Sequence, residues 1–131
     1  MLLLLDGFFF AFHTVLVLFN VIGWIPKRTR RLNLICLVVT AVSWFVMGAW
    51  NGIGYCVLTD WHWQVRQALG IHDPEGSFIE LLIVKLTGWH APAPFVQISA
   101  GIVFVAALVA SVIVNIRQSR LPRGSARLST Q

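Results

Sequence analysis

Three long apolar runs leave this chain few ways to fold. Residues 2–24, 32–50 and 95–116 are almost wholly apolar. At 1.5 Å per residue, a helix over the first would reach about 34 Å, enough for a hydrocarbon core of about 30 Å. Charged residues make up 11% of the chain, whereas soluble domains carry about 25%. A chain so poor in charge cannot clothe a soluble surface, so an all-α integral membrane protein is expected, as one membrane domain over 1–131. The first run lacks the basic start and small-residue cleavage site of a signal peptide, and is expected to be a retained span.

Charge placement sets the expected topology. The formal charge of +5 invites a nucleic-acid partner, but its layout excludes one. Lys27, Arg28, Arg30 and Arg31 follow the first run, and Arg117, Arg120, Arg123 and Arg127 follow the last. Such clusters anchor spans on the cytoplasmic side and attract anionic headgroups. Three spans put both clusters inside, the N-terminus and residues 51–92 outside, and the tail 117–131 in the cytoplasm. The expected location is therefore a membrane with both basic ends on its cytoplasmic face. A four-span alternative, with residues 78–88 crossing as well, would move the tail arginines outside.

Between the second and third runs the pattern changes. Asn51 to His90 holds three of the four histidines and four of the five acidic residues. Asn-Gly-Ile-Gly at 51–54 breaks the helix. Thr59 or Asp60 is expected to cap an amphipathic helix closed by Gly70, with Leu58, Trp61, Val65, Ala68 and Leu69 on its apolar side. His62, Arg66 and Gln67 take the other side. Asp-Pro-Glu-Gly at 73–76 is a turn. Ser77-Phe-Ile-Glu80 has the capping-box form and starts a short helix ending at Gly88. These elements read as an extracytoplasmic cap. Pro94 is well placed to begin the last span, and the arginine- and serine-rich tail has no apolar pattern.

Candidate sites are few. Asp6, His13 and Asn20 recur every seven residues, so they share a helix face that should look toward other helices or a wet cavity rather than lipid. Interhelical hydrogen bonding is one role for this stripe, and a ligand or proton path is another. Cys36, Thr40, Ser43 and Met47 share a face of the second span, with Asn33 at its edge. Trp50, Tyr55, Trp61, Trp63 and Trp89 read as interfacial anchors, or as walls of a planar-ligand pocket. A haem or pigment would need His13 as an axial ligand, with Trp61 and His62 beside the ring. Cys56, Asp60 and His62, with His72, Asp73, Glu75 and His90 nearby, have the chemistry of metal ligands but no established ligand spacing. Cys56 with His62 as base is the corresponding nucleophilic alternative.

His13-Thr-Val-Leu-Val-Leu-Phe-Asn20, Gly54-Tyr-Cys-Val-Leu-Thr-Asp60-Trp-His-Trp and Ser77-Phe-Ile-Glu80 together carry a resemblance. The chain resembles a family of small bacterial integral-membrane proteins of unknown function. Those proteins pair a first-span histidine with a Cys-Pro-Leu-Thr segment after the second span, then an arginine-containing helix and a Phe-Ile step. Here Cys56-Val57-Leu58-Thr59 has valine in place of the proline. The resemblance spans roughly residues 8–90 and implies placement in a membrane without an activity. Small size and apolar outer faces suggest a structural or accessory subunit of a larger membrane complex, such as an energy-converting one. The alternatives are a haem- or pigment-binding protein using His13, and an outer-leaflet enzyme or carrier using Cys56, Asp60 and His62.

Overall fold

In a computed structural model the chain is described over residues 1–52, 54–72 and 75–120. Asp73, Pro74 and the tail from Leu121, with Arg123 and Arg127, lie outside the described residues. Among the described residues five helices follow one another: α1 Leu2–Ile22, α2 Arg30–Asn51, α3 Val57–Ala68, α4 Phe78–Thr87 and α5 Ala93–Arg120. α1, α2 and α5 are long and apolar enough to cross a membrane. α4 has ten residues and reaches only about 15 Å, half of what a crossing needs. Three spans therefore describe this chain better than four.

The spans differ from their sequence limits for local reasons. α1 stops at Ile22 rather than running to Trp24. The Gly23 amide still donates to Phe19 O, and then Thr29 Oγ1 donates to Gly23 O at 2.7 Å and Arg30 Nε to Trp24 O at 3.1 Å. These side chains satisfy carbonyls that the ending helix leaves without intrahelical donors. α2 contains a π-helical turn over Ser43–Met47, an insertion of the kind that re-aims side chains. Trp44 from this turn packs on Phe104 of α5 at 4.7 Å between ring centroids.

The basic ends meet. Asn115 Nδ2 donates to Arg30 O at 3.0 Å, and Arg30 Nη1 to Gln118 Oε1 at 3.3 Å. Lys27, Arg28, Arg30 and Arg31 thus share one end of the bundle with Arg117 and Arg120. α3 and α4 lie at the other end, where α1 begins, α2 finishes and α5 begins.

α4 begins as its sequence implies. Ser77 Oγ accepts from the Glu80 amide at 3.3 Å, and Glu80 Oε2 accepts from the Gly76 amide at 3.2 Å. Gly70 and Gly88 follow the two short helices with φ of 76° and 71°, a conformation that Cβ disfavours. α3 departs from expectation. It starts at Val57, with Cys56 at the N-cap and no side-chain cap bond. Asp60 lies within the first turn, where its Oδ2 accepts from Gln64 Nε2 at 2.9 Å.

The contact between α1 and α2 is close because Gly23 has no side chain. Asn33 is fully buried and its Nδ2 donates to Phe19 O at 2.7 Å. A Cβ on Gly23 would come within 2.8 Å of that Nδ2. Gly23→Val should therefore displace Asn33 and lower stability by roughly 2 kcal/mol, the usual scale of overpacking. Thermal unfolding in detergent checks this; an unchanged midpoint would contradict the packing described.

Candidate functional site

Asp6 lies near the start of α1, where an ionised carboxylate on an apolar helix requires partners. α3 supplies them. Asp6 Oδ1 accepts from Arg66 Nη1 at 3.0 Å and pairs with His62 Nε2 at 2.8 Å. His62 is fully buried and Arg66 is 5% exposed, whereas Trp61 is 53% exposed. His62 and Arg66, from the polar side of α3, are thus turned inward, while Gln67 of the same side is exposed. An apolar face gains little by facing a helix when lipid is its alternative, while His62 and Arg66 gain a charge-assisted contact.

Two turns deeper, the His13 ring lies flat on Phe78, with centroids 4.0 Å apart and planes 8° from parallel. Its Nε2 is 3.9 Å from Cys56 Sγ. Phe78 also lies 6.1 Å from the His62 ring, so one aromatic side chain separates the two histidines. His13 and Asn20 are both buried. Asn20 Nδ2 donates to Thr40 Oγ1 on α2 at 3.1 Å. Neither His13 Nδ1 nor Asn20 Oδ1 has a hydrogen-bond partner among the described residues.

Both residues line a cavity of about 710 Å³. Its walls come from α1, α2, the segment from Gly54 to Thr59, the start of α4 and α5. Leu16, Val17, Leu37, Val96 and Phe104 represent its predominantly apolar lining, and His13, Asn20, Thr40 and Ser43 its polar one. Pockets of roughly 300–1,000 Å³, mostly apolar with a few placed polar groups, are typical of small-molecule sites. A second cavity of about 170 Å³ adjoins it. Gly54, Cys56, Thr59 and Ser77 line both, and Tyr55, Asp60, Trp63 and Gly76 line only the smaller. Partial burial and then the neighbouring Asp60 carboxylate hold the Tyr55 phenol above its ordinary pKa. It therefore remains an O–H donor at neutral pH.

The residues singled out in the sequence are thus divided. The stripe of Asp6, His13 and Asn20 faces protein, with Asp6 serving α3 and the other two serving the cavity. Cys56 is beside His13, and His62 is turned to Asp6. Neither Trp61 nor His62 lines the cavity with His13. Trp50 and Trp89 are exposed at 80% and 55%, while Tyr55 and Trp63 are half-buried. His90 Nδ1 lies 3.4 Å from Glu75 Oε1, and His72 Nδ1 3.3 Å from Gly70 O. Among the described residues no three His, Cys, Asp or Glu side chains are grouped to hold a metal ion. Phe78 and Gly23 carry weight that sequence reading missed. For Phe78 a signal existed, since the capping box fixes it as the first residue of α4.

The fold and site define a small helical protein with three helices of membrane-crossing length and a half-open, chiefly apolar cavity between them. The family model described as a protein of unknown function, DUF2784, matches residues 3–116, and the chain belongs to that family. No curated protein and no solved structure matches the chain.

The ion cluster yields a direct test. Asp6→Ala removes the acceptor shared by His62 and Arg66 and should cost roughly 2 kcal/mol, less than a fully enclosed pair because Asp6 is partly exposed. In a double-mutant cycle with His62→Ala, the two changes should be clearly non-additive. Additive losses would show that the contact contributes nothing to joining α3 to α1.

Proposed function

We propose that this chain is an integral-membrane binding protein that holds one membrane amphiphile within its bundle. A single observation carries the reading: a cavity of about 710 Å³, chiefly apolar, on whose wall His13 and Asn20 are buried with His13 Nδ1 and Asn20 Oδ1 unpartnered. A buried polar atom without a partner costs about 1–3 kcal/mol, and a ligand hydroxyl or carbonyl within the cavity would remove that penalty. The apolar walls suit an acyl or prenyl chain. In the proposed setting, a bacterial cytoplasmic membrane, positive-inside placement of Lys27–Arg31 and Arg117–Arg120 puts α3 and α4 on the outer side. Trp50, Trp61 and Trp89 then sit where interfacial rings are favoured.

Binding is favoured over catalysis by Cys56, Asp60 and His62 because two of those three already have structural partners. His62 is held by Asp6 and Asp60 by Gln64, so the outer-leaflet enzyme reading lacks its proposed base at Cys56. A role as accessory subunit of a larger membrane complex is compatible with ligand binding. Its support is the chain's small size and the apolar outer surface of α1, where Phe8, Val15 and Leu18 are exposed. The haem or pigment alternative retains His13 but loses the convergence with Trp61 and His62.

Native mass spectrometry from mild detergent tests the binding reading. The folded protein should retain about one amphiphile per chain, and His13→Leu with Asn20→Leu should reduce that retention by roughly tenfold. A folded wild-type chain free of bound amphiphile would overturn the proposal. A visible absorption band would instead restore the haem or pigment reading.

A further inference from the structure

The wall of the large cavity holds two buried polar atoms whose needs define the chemistry of an occupant. His13 and Asn20 are 7% and 8% exposed, and both line the cavity. Neither His13 Nδ1 nor Asn20 Oδ1 has a partner among the described residues. The Asn20 amide is held one way round. Thr40 Oγ1 donates its proton to Cys36 O at 2.8 Å, so toward Asn20 it can only accept, and Asn20 Nδ2 donates to it at 3.1 Å. Oδ1 is therefore the atom left to the cavity, and only a donor on the ligand satisfies it. A carbonyl would set acceptor against acceptor.

At His13, Nε2 lies 3.9 Å from Cys56 Sγ. Nδ1 carries the ring proton if the thiol donates to Nε2, and accepts if Nε2 donates to the sulfur. A hydroxyl suits either tautomer, whereas a carbonyl suits one. The occupant's polar groups are also uncharged: among the described residues the cavity wall includes no Lys, Arg, Asp or Glu. An ion there would lack the counter-charge that burial demands. Bilayer phospholipids can lodge acyl chains in the half-open space, but those chains leave both atoms unpartnered.

One hydroxyl cannot serve both residues. His13 and Asn20 are seven residues apart on α1, about 10 Å along its axis, with Cβ atoms that lean the same way. Two hydroxyls at opposite ends of one ring, each making a hydrogen bond of about 2.8 Å, cover that length. Phe78 against His13, and Trp44 packed with Phe104, give the cavity aromatic walls that suit a ring.

We propose that the occupant is a prenylated hydroquinone, with one hydroxyl donating to Asn20 Oδ1, the other bonded to His13 Nδ1, and its tail along the apolar wall. This rests on the binding function proposed above and narrows it to a neutral, reduced ring lipid. The corresponding quinone, with a carbonyl at each position, binds more weakly because Asn20 Oδ1 stays unpartnered.

The test uses the full chain in mild detergent under anaerobic conditions. It is titrated separately with a short-chain prenyl hydroquinone, its quinone and its dimethyl ether, and bound ligand is counted by native mass spectrometry. Wild type should hold the hydroquinone about tenfold more tightly than the quinone or the ether, the scale of one hydrogen bond to a buried acceptor. Asn20→Leu should weaken hydroquinone binding and bring its ratio to the quinone near one. Thr40→Val frees the Asn20 amide to turn Nδ2 to the cavity, and should shrink the ratio chiefly by tightening the quinone. This variant also stands in if Asn20→Leu proves unfolded by circular dichroism. Equal binding of all three compounds by wild type would overturn the hydroquinone assignment and leave the cavity reading intact. So would an undiminished ratio in either folded variant, or a wild type that holds a bilayer lipid and none of the three. A folded wild type retaining no amphiphile at all would overturn both.

Discussion

The carboxylate of Asp6 is the constraint on which the rest of the arrangement depends. It stands at the start of an apolar helix, where charge is tolerated only with partners. His62 and Arg66 meet it from α3. That contact decides which face of α3 turns inward, leaves Trp61 on the outer surface, and draws the segment after α2 across the end of the bundle. Phe78 is then confined between His13 and His62. α4, too short to cross a membrane, is fixed where its first turn closes one end of the cavity.

The cavity exists because the three long helices do not converge along their whole length. At the basic end, Gly23 and Asn33 bring α1 and α2 together, and Asn115 joins α5 to Arg30. Toward the other end the π-helical turn of α2 directs Trp44 onto Phe104, and the space above Asn20 remains open. Tight packing at one end and an ion cluster at the other thus frame a volume in which His13 and Asn20 are shielded from water but incompletely hydrogen-bonded. Such a state is stable only if the surroundings supply a partner or the fold absorbs the cost.

Much of this frame was legible in the sequence. The apolar runs gave the three long helices, the capping box gave the start of α4, and the seven-residue spacing of Asp6, His13 and Asn20 gave a face that looks inward. The inward face of α3 was not legible, because the periodicity of Leu58, Trp61 and Val65 says which side is apolar and not what lies opposite it. In water the apolar side would win; beside lipid it has nowhere better to go, and the distant Asp6 decides. The site was legible only in fragments. Cys56, Asp60 and His62 are close in sequence, yet helix geometry sends His62 to Asp6 and leaves Cys56 beside His13, 43 residues away. The cavity depends on separations between helices, which no local pattern encodes.

On the binding function proposed above, a membrane amphiphile occupies the half-open space between α1, α2 and α5. The most direct measurement is photo-crosslinking in reconstituted vesicles with a phospholipid carrying a diazirine in its acyl chain, followed by peptide mapping. The account predicts adducts on inward positions such as Val17 and Phe104, saturating at about one per chain. Adducts confined to outward positions such as Val15 and Ile102, rising with lipid without saturation, would contradict it.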